Sequence, residues 1–274
     1  MLQPKKVLVD LRKVFQAAQS YVMLSRCQSL DQLFILQEVP KKKLYADTKA
    51  IEEVQRLEAI SINKNPSPWN KQDSAITKMA FLNIQSIQNK MDWIASDHSL
   101  QQATCMFISE TWLDENDSAI SLPGYHTTLN CVGRGHGTAA FYRDQYTLQD
   151  DVHIDRVNIT KLASPNLEAI GVYRSSNGNV ETLIETLKTM IVPNRNTVIG
   201  GDFNLDLFKN GSNLLTRYLT SQGFKQVVTK ATHTGGGCID HCYVRIVNEK
   251  AYDVEIVPKV YTDHDCVCFS MDLN

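Results

Sequence analysis

The larger part of the chain consists of short apolar runs that recur between turn residues, and this pattern limits the possible fold more than any other feature. Seven such runs follow one another, at residues 79–84, 105–108, 138–142, 168–173, 197–199, 239–244 and 266–269. Apolar runs of this length, bounded by turn residues, predict β-strands. Helical spacing occurs between only some of them, at 87–95 and 180–191. Many strands with few helices predict two packed layers of sheet, in an α/β or α+β arrangement.

A polar segment with two prolines, at residues 63–68, separates this region from the residues before it. Such a segment favours a loop or linker. Upstream, residues 14–24 and 46–60 have helical apolar spacing, and residues 33–36 predict a short strand. The predicted organisation has three parts, namely a small, mainly helical N-terminal part, a linker and a larger domain, at residues 1–62, 63–77 and 78–274.

The composition indicates a soluble globular protein. Of the 274 residues, 43% are hydrophobic and 21% are charged, and no apolar run reaches the roughly 18 residues that a membrane helix needs. The N-terminus has no apolar segment of the kind that directs secretion. Seven cysteines lack the paired spacing of a zinc site, and Cys266 and Cys268 alternate as in a buried strand. We therefore expect an intracellular protein, nuclear or cytoplasmic, with reduced thiols and no membrane contact.

The charge is unevenly distributed along the chain. Residues 1–76 contain 12 Lys and Arg against 8 Asp and Glu, whereas the other residues contain 16 against 22. DNA binding depends largely on basic groups, so an acidic domain argues mildly against it. A group of metal-binding carboxylates would account for part of the imbalance, because a bound divalent cation reverses the local field.

The clearest candidate site follows the run at 197–199, where Gly200 and Gly201 precede Asp202, Phe203 and Asn204. Residues two apart on a strand face the same side, so Asp202 and Asn204 are expected to project into one pocket. The two glycines allow another backbone or a ligand to approach closely. An Asx turn after a strand would explain the same residues without any site.

Two Asp–His pairs lie near the C-terminus, Asp240–His241 and Asp263–His264. A carboxylate that contacts a neutral imidazole fixes its tautomer, and Asp240 could orient His264 in this way. A solvated turn would explain either pair equally well.

Three further polar residues lie within or just after predicted strands: Asn83, Glu110 and Tyr173. Glu110 could instead begin a helix that Ser109 or Thr111 caps. Tyr173 could be a core residue whose hydroxyl reaches water. None of the three indicates a site by itself.

In their order along the chain, these residues resemble the motif set of the endonuclease/exonuclease/phosphatase superfamily, which includes apurinic/apyrimidinic endonucleases, deoxyribonuclease I and inositol polyphosphate phosphatases. The resemblance covers about residues 78 to 274. Residues 83–90, 109–113 and 239–241 are most similar to its retrotransposon branch. The resemblance implies a four-layer α/β sandwich, in which helices flank two packed mixed sheets and the site lies at one end of the sheets.

The resemblance implies a metal site. Glu110 would hold the ion, with Asn83 and Asp263 nearby. Mg²⁺ suits this set because it prefers oxygen ligands, and Mn²⁺ could replace it. The chain departs from the family at Thr262, where serine is usual, and at Gln85, where the retrotransposon branch often has arginine.

The resemblance also implies roles in phosphodiester hydrolysis. Asp202 would position or deprotonate the attacking water, while Asn204 and Tyr173 would hydrogen-bond the scissile phosphate. His264, oriented by Asp240, would stabilise the developing charge or serve as the base. The choice of base between Asp202 and His264 stays open.

These roles predict a metal-dependent endonuclease that nicks DNA. DNA is the expected partner, and the protein is expected to be a monomer. A phosphatase or phosphodiesterase acting on a small or lipid phosphoester is an alternative, because this fold supports both activities. An inactive fragment derived from a transposon is another.

Residues 19–31 resemble the last motif of the replicative helicases that are fused into Helitron transposons, where an arginine reaches the nucleotide γ-phosphate. Arg26 would be that arginine, yet the chain has no Gly-x-x-x-x-Gly-Lys-Ser/Thr loop to bind the phosphates. Residues 1–62 are therefore interpreted as a helicase remnant without ATPase activity. Its fusion to a nuclease resembles the Helentron branch and implies a transposable element, whereas an amphipathic helical cap is the alternative.

Overall fold

The described part of the computed structural model comprises residues 76–117, 120–209, 211–247 and 250–272, with the backbone of Val7–Val9 and Leu33–Ile35. The chain divides into two units, Met1–Asn65 and Pro66–Asn274.

In the first unit, β1 (Val7–Val9) and β2 (Leu33–Ile35) pair in parallel. The strand predicted at 33–36 is therefore confirmed. The predicted helices at 14–24 and 46–60 and the helicase motif with Arg26 lie outside the described residues, so the helicase remnant stays a prediction.

The second unit contains all seven predicted strands. Its strands are β3 (Ile76–Asn83), β4 (Cys105–Ser109), β5 (His126–Asn130), β6 (Thr138–Tyr142), β7 (Thr147–Ile154), β8 (Val157–Ala163), β9 (Glu168–Arg174), β10 (Thr197–Asp202), β11 (Lys225–Gln226), β12 (Asp240–Arg245), β13 (Tyr252–Val257) and β14 (Cys266–Asp272). The strands β5, β7, β8, β11 and β13 were not predicted. The β7 strand is mostly exposed, and its polar sequence lacks the apolar run on which the prediction depended.

Four helices complete the described part of this unit: α1 (Met91–Ser96), α2 (His98–Gln101), α3 (Val180–Met190) and α4 (Leu214–Ser221). The helices predicted at 87–95 and 180–191 correspond to α1 and α3. Asn179 caps α3 by accepting hydrogen bonds from the backbone N–H groups of Glu181 and Thr182. None of these four helices has the length and apolar character that a bilayer span requires.

The strands form two mixed six-stranded sheets with the same internal plan. The first has the order β13-β14-β3-β4-β6-β5, and the second has the order β11-β12-β10-β9-β8-β7. In each sheet the central pair is parallel, β3 with β4 and β10 with β9, and the outer pairings are antiparallel. Because ligands bind at the carboxyl ends of parallel strands, a site is expected at the ends of these four central strands.

Glycines allow the two sheets to pack closely. The rings of Phe81 and Phe107 stack with centroids 5.3 Å apart and lie against Gly200 and Gly171 of the second sheet. A Cβ atom would lie 2.1 Å from Phe107 at Gly171 and 2.7 Å from Phe81 at Gly200. At Gly201, φ is +135° and a Cβ would lie 2.0 Å from the carbonyl oxygen of Val172. The expectation that Gly200 and Gly201 allow a close approach is confirmed.

Three apolar cores define four layers. One core lies between the sheets. A second includes Ile94 of α1 and Leu100 of α2 packed on the first sheet, and a third includes Leu187 of α3 and Leu219 of α4 packed on the second. The predicted four-layer α/β sandwich is confirmed. Cys266 and Cys268 are buried in β14, as their alternation predicted.

Candidate active site

Four of the predicted site residues lie at the carboxyl ends of the central parallel strands. Asn83 ends β3, Glu110 follows β4, Tyr173 is the penultimate residue of β9 and Asp202 ends β10. In open sheets, ligands bind outside the carboxyl ends of parallel strands. A hydrogen bond of 2.9 Å from Asn83 Nδ2 to Asp202 Oδ2 joins the two sheets at this end. The sandwich therefore collects these side chains because both sheets have the same plan.

The antiparallel neighbours of these strands bring the Asp–His elements to the same end. Asp240 begins β12 and is paired in register with Asp202 of β10. His264 lies two residues before β14, which is antiparallel to β3. In an antiparallel pair, the start of one strand lies beside the end of the other. The residues at the starts of β12 and β14 therefore lie beside the residues at the ends of β10 and β3.

Asp202 accepts three hydrogen bonds from amide groups. Asn83 Nδ2 and the backbone N–H of Asn204 each lie 2.9 Å from a carboxylate oxygen, and Asn204 Nδ2 lies 3.2 Å away. The side chains of Asp202 and Asn204 lie together as expected, but strand alternation is not the reason. β10 ends at Asp202, and Asn204 has φ +50°. An Asx-type turn therefore forms part of the site, and the two interpretations of this motif are compatible.

Asp240 and His264 form a buried hydrogen-bonded pair. His264 Nδ1 lies 2.9 Å and 3.2 Å from the two carboxylate oxygens of Asp240. His264 is 4% exposed and Asp240 is 1% exposed. Because Nδ1 donates to Asp240, the other ring nitrogen, Nε2, is left for the site, where it lies 3.7 Å from Asp263 Oδ1.

Burial and neighbouring charges raise the pKa of Asp202, and the contact with Asp240 raises the pKa of His264. Burial and the negative charge of Asp240 raise the pKa of Asp202 to about 7. Burial alone would lower the pKa of His264, but the hydrogen bond and charge of Asp240 outweigh it and raise that pKa to about 9. The site can therefore hold a carboxylate that titrates near neutral pH and an imidazolium within one hydrogen-bonded group.

Glu110 and Tyr173 form a second hydrogen-bonded group, close enough to Asp202 for its charge to act on Tyr173. The Tyr173 hydroxyl lies 3.3 Å from Glu110 Oε1 and 3.0 Å from the carbonyl oxygen of Gly135. Trp112 Nε1 donates to Glu110 Oε2 at 3.3 Å. Burial, followed by the charges of Glu110 and Asp202, raises the pKa of Tyr173. The hydroxyl therefore stays protonated at neutral pH and can act as a hydrogen-bond donor.

Arg174 is a buried residue that supports the site, although no sequence motif marks it. Arg174 Nε donates to the carbonyl oxygen of Phe203 at 2.7 Å, and Nη2 donates to that of Asn204 at 2.9 Å. In return, Asn204 Nδ2 donates to the carbonyl oxygen of Arg174 at 2.9 Å. An arginine directly after the strand-end Tyr173 was the only sequence signal. Thr262, a departure from the family pattern, retains a useful hydroxyl, which donates to the carbonyl oxygen of Asn83 at 2.9 Å.

The described residues offer two groups that could hold a metal ion. One comprises Asp202, Asp240 and His264, and the other comprises His233, Asp263 and His264. Glu110, the predicted principal ligand, belongs to neither of these groups. Asp263 Oδ1 is buried and has no hydrogen-bond partner among the described residues, which is unusual for a carboxylate oxygen.

The oxygen donors at this end of the sandwich suit a hard divalent cation. Glu110 accepts only long hydrogen bonds of 3.3 Å, and Asp263 Oδ1 accepts no hydrogen bond within the described structure, its charged neighbour being His264 Nε2 at 3.7 Å. Mg²⁺ binds through one or two carboxylates and keeps several waters, so it does not need a closed cage of protein ligands. The residues present therefore fit such an ion.

Solved structures show the same fold. The chain is similar to the endonuclease domain of TRAS1, a telomere-specific non-LTR retrotransposon, with 16% identity, a TM-score of 0.54 and coverage of 72% of this chain and 99% of that one. It is also similar to the 3′-5′ exonuclease NExo from Neisseria meningitidis, with 15% identity, a TM-score of 0.56 and coverage of 72% and 100%. An AP endonuclease from Archaeoglobus fulgidus gives 14% identity, a TM-score of 0.54 and coverage of 72% and 100%.

The sequence itself places the chain in a family. No curated protein sequence matches it. The sequence model of the endonuclease/exonuclease/phosphatase family matches residues 80–264, which is more than half of the chain and spans the site from Asn83 to His264. The chain therefore belongs to the endonuclease/exonuclease/phosphatase family.

Proposed function

We propose that this protein is a metal-dependent endonuclease that nicks DNA by hydrolysing a phosphodiester bond. The observation that carries the proposal is the hydrogen-bonded group in which Asp202, held by Asn83 and Asn204, lies within 4.8 Å of the buried Asp240–His264 pair. The similar structures whose names state an activity include an endonuclease domain, an exonuclease and an AP endonuclease, which supports a nucleic-acid substrate.

In the proposed reaction, Asp202 accepts the proton of the attacking water. Its three amide donors orient the carboxylate, and a pKa near neutrality suits a general base. His264 is held by Asp240 and offers Nε2–H to an oxygen of the phosphate as negative charge develops. The remaining role, binding the scissile phosphate, falls to the side-chain amide of Asn204 and the hydroxyl of Tyr173.

Glu110 and Asp263 would hold the divalent cation, with Asn83 nearby. When bound, such an ion neutralises phosphate charge and activates the nucleophile or the leaving oxygen. Mg²⁺ is the proposed ion, and Mn²⁺ would substitute for it.

A plasmid-nicking assay tests this proposal. Purified full-length protein is incubated with supercoiled plasmid in MgCl₂ and in EDTA, beside the variants Glu110→Gln and Glu185→Gln. Glu185 lies on α3 with an exposed side chain and serves as the matched control. The expected result is Mg²⁺-dependent nicking that Glu110→Gln abolishes and Glu185→Gln preserves.

Further substrates separate the alternatives. The same preparations are tested on an oligonucleotide with an abasic site and on p-nitrophenyl phosphate. Turnover of the small ester without cleavage of either DNA would contradict the proposal and favour a phosphatase, which the acidic balance of residues 77–274 would suit. Folded protein that turns over none of these substrates would favour an inactive fragment.

A further inference from the structure

His233 contacts the site but has no role in the proposed reaction. Its Nε2 lies 3.3 Å from Asp263 Oδ2, and its ring packs edge-on against His264 with centroids 4.9 Å apart. The side chain is 30% exposed, so it borders the site and is not part of the core.

A backbone hydrogen bond determines which nitrogen of His233 carries the hydrogen. The N–H of Gly235 donates to His233 Nδ1 at 2.9 Å, so Nδ1 presents a lone pair. A neutral imidazole has one donor and one acceptor nitrogen, which leaves the hydrogen on Nε2. That hydrogen is directed at the carboxylate of Asp263. In this tautomer His233 is a hydrogen-bond donor, and Nε2 has no lone pair with which to bind a metal.

The backbone around His233 is joined to the backbone around Asp263. Thr234 N donates to the carbonyl oxygen of Asp263 at 2.9 Å, and Asp265 N donates to that of Thr232 at 2.7 Å. These two bonds flank His233 and keep its ring beside the Asp263 carboxylate. The contact between the two side chains is therefore built into the loop.

One short segment, residues 232–240, which runs from the loop into the first residue of β12, contacts both members of the Asp263–His264 pair. Asp240 receives the Nδ1–H of His264, and His233 directs its Nε2–H to Asp263 Oδ2. The other oxygen, Asp263 Oδ1, is buried and has no hydrogen-bond partner among the described residues. His233 thus occupies one carboxylate oxygen, and the second accepts no hydrogen bond and lies 3.7 Å from His264 Nε2.

We propose that His233 is a positioning residue, which holds the Asp263 carboxylate so that Oδ1 faces the divalent cation of the site. This inference rests on the proposed function, because Asp263 is assigned there as a metal ligand. Partners that orient a ligand from behind typically change metal affinity or activity by about 10–100-fold when they are lost.

Two amide substitutions separate the two hydrogen bonds of His233. His233→Gln places an amide donor near the position of Nε2, whereas His233→Asn places an acceptor near the position of Nδ1. We expect His233→Gln to keep nicking within about threefold of wild type, and His233→Asn to lose about tenfold or more. Wild-type activity in His233→Asn, or equal losses in both variants, would overturn the proposal.

Metal binding without DNA provides a second readout. Titration of the full-length protein with MnCl₂ by calorimetry should show affinity weakened about tenfold in His233→Asn and near wild type in His233→Gln. If His233→Asn does not fold, the His233→Gln variant decides the question, since a folded His233→Gln protein with weakened Mn²⁺ binding would refute the inference.

A double variant tests whether His233 acts through Asp263. Adding His233→Asn to Asp263→Asn should cause no further loss of Mn²⁺ affinity, because the carboxylate to be positioned is gone. An additive loss would overturn the inference. If the wild-type protein bound Mn²⁺ but nicked no DNA, the proposed function would fail while the MnCl₂ titrations still tested His233.

Discussion

Two carboxylate clusters, one buried and one partly buried, share one loop, residues 258–265, which connects β13 to β14. Lys259 and Tyr261 contact Asp97, and we call these three residues the Asp97 cluster. Asp202, Asp240 and His264 lie together in the proposed active site, and we call them the active-site cluster. In both clusters, charged side chains are removed from water. This desolvation costs much free energy unless hydrogen bonds and opposite charges offset it. The two clusters differ in how far hydrogen bonds and opposite charges offset this cost.

The Asp97 cluster is fully compensated. Asp97 Oδ2 accepts hydrogen bonds of 2.7 Å from both Lys259 Nζ and Tyr261 OH, and Oδ1 accepts one of 2.6 Å from Ser99 Oγ. Burial alone would raise the pKa of Asp97, but these donors and the charge of Lys259 outweigh it and lower the pKa to about 2. A carboxylate in such surroundings stabilises the fold and stays ionised at neutral pH, so it is poorly suited to accept a proton.

The active-site cluster is compensated only in part. Two carboxylates, Asp202 and Asp240, share the charge of one imidazole, and burial and Asp240 raise the pKa of Asp202. The difference between the clusters shows that burial of a carboxylate does not identify a catalytic group. A carboxylate that is buried next to another carboxylate, with one cation for both, is instead a candidate for a functional group.

The largest expected effect is a loss of nicking activity from a change in the active-site cluster. Asp202→Asn removes the proposed base and should reduce nicking by about 10³-fold. It also removes the repulsion between Asp202 and Asp240, so the melting temperature should stay the same or rise. Nicking rates and thermal melts check both expectations. Normal nicking by Asp202→Asn would sink the assignment of the base.

A second test asks whether Asp240 is the cause of the raised pKa of His264. Asp240→Asn should lower the pKa of His264 from about 9 toward or below its ordinary value of 6.5, and nicking should fall by about 10²-fold. NMR titration of the His264 ring measures the pKa directly. The control is Asp265→Asn, which alters a less buried acid at the residue directly after His264.

The same pair also gives stability a defined pH dependence. Because the folded pKa of His264 is raised, its contribution is complete below about pH 6.5 and is lost as pH rises through about 9. Urea denaturation between pH 6 and 10 should show this loss in wild type. A wild-type slope in Asp240→Asn would contradict the attribution to Asp240.

Strand ends explain why much of the candidate active site was predictable from sequence. Asn83, Glu110, Tyr173 and Asp202 each stand at or next to the end of an apolar run, and runs of that kind are visible without a structure. Their convergence follows from the parallel central pairs of the two sheets. The chemistry of each position came from resemblance to the family, not from the runs.

The Asp97 cluster was not predictable in the same way. Asp97 lies between two short helices, and its partner Lys259 is 162 residues away along the chain. Neither residue interrupts an apolar run, so no local pattern marks them. His233 and Arg174 were missed for a similar reason, since their importance lies in hydrogen bonds to particular atoms. The left-handed backbone of Asn204 likewise depends on where β10 ends.

An intermediate effect should appear in stability alone. Asp97→Asn leaves Lys259, whose side chain is 4% exposed, without its counter-charge, and should cost about 3 kcal/mol of unfolding free energy. Nicking by the folded variant should match wild type. Because the folded pKa of Asp97 is lowered, its contribution is complete above about pH 3.8 and is lost as pH falls through about 2. Chemical denaturation near neutral pH measures the cost, with exposed Asp92→Asn as the control.

The smallest expected effect tests how separate the two clusters are. Tyr261→Phe deletes the hydroxyl that donates to Asp97 Oδ2 but keeps the ring beside Trp93, whose centroid lies 5.8 Å away. Lys259 continues to neutralise Asp97, so the loss should be about 1 kcal/mol, the usual net worth of one hydrogen bond. Chemical denaturation and nicking rates are measured on the same preparations. If Tyr261→Phe reduced nicking as much as Asp240→Asn, the loop would transmit changes at Tyr261 to Asp263 and His264, and the two clusters would form one functional unit.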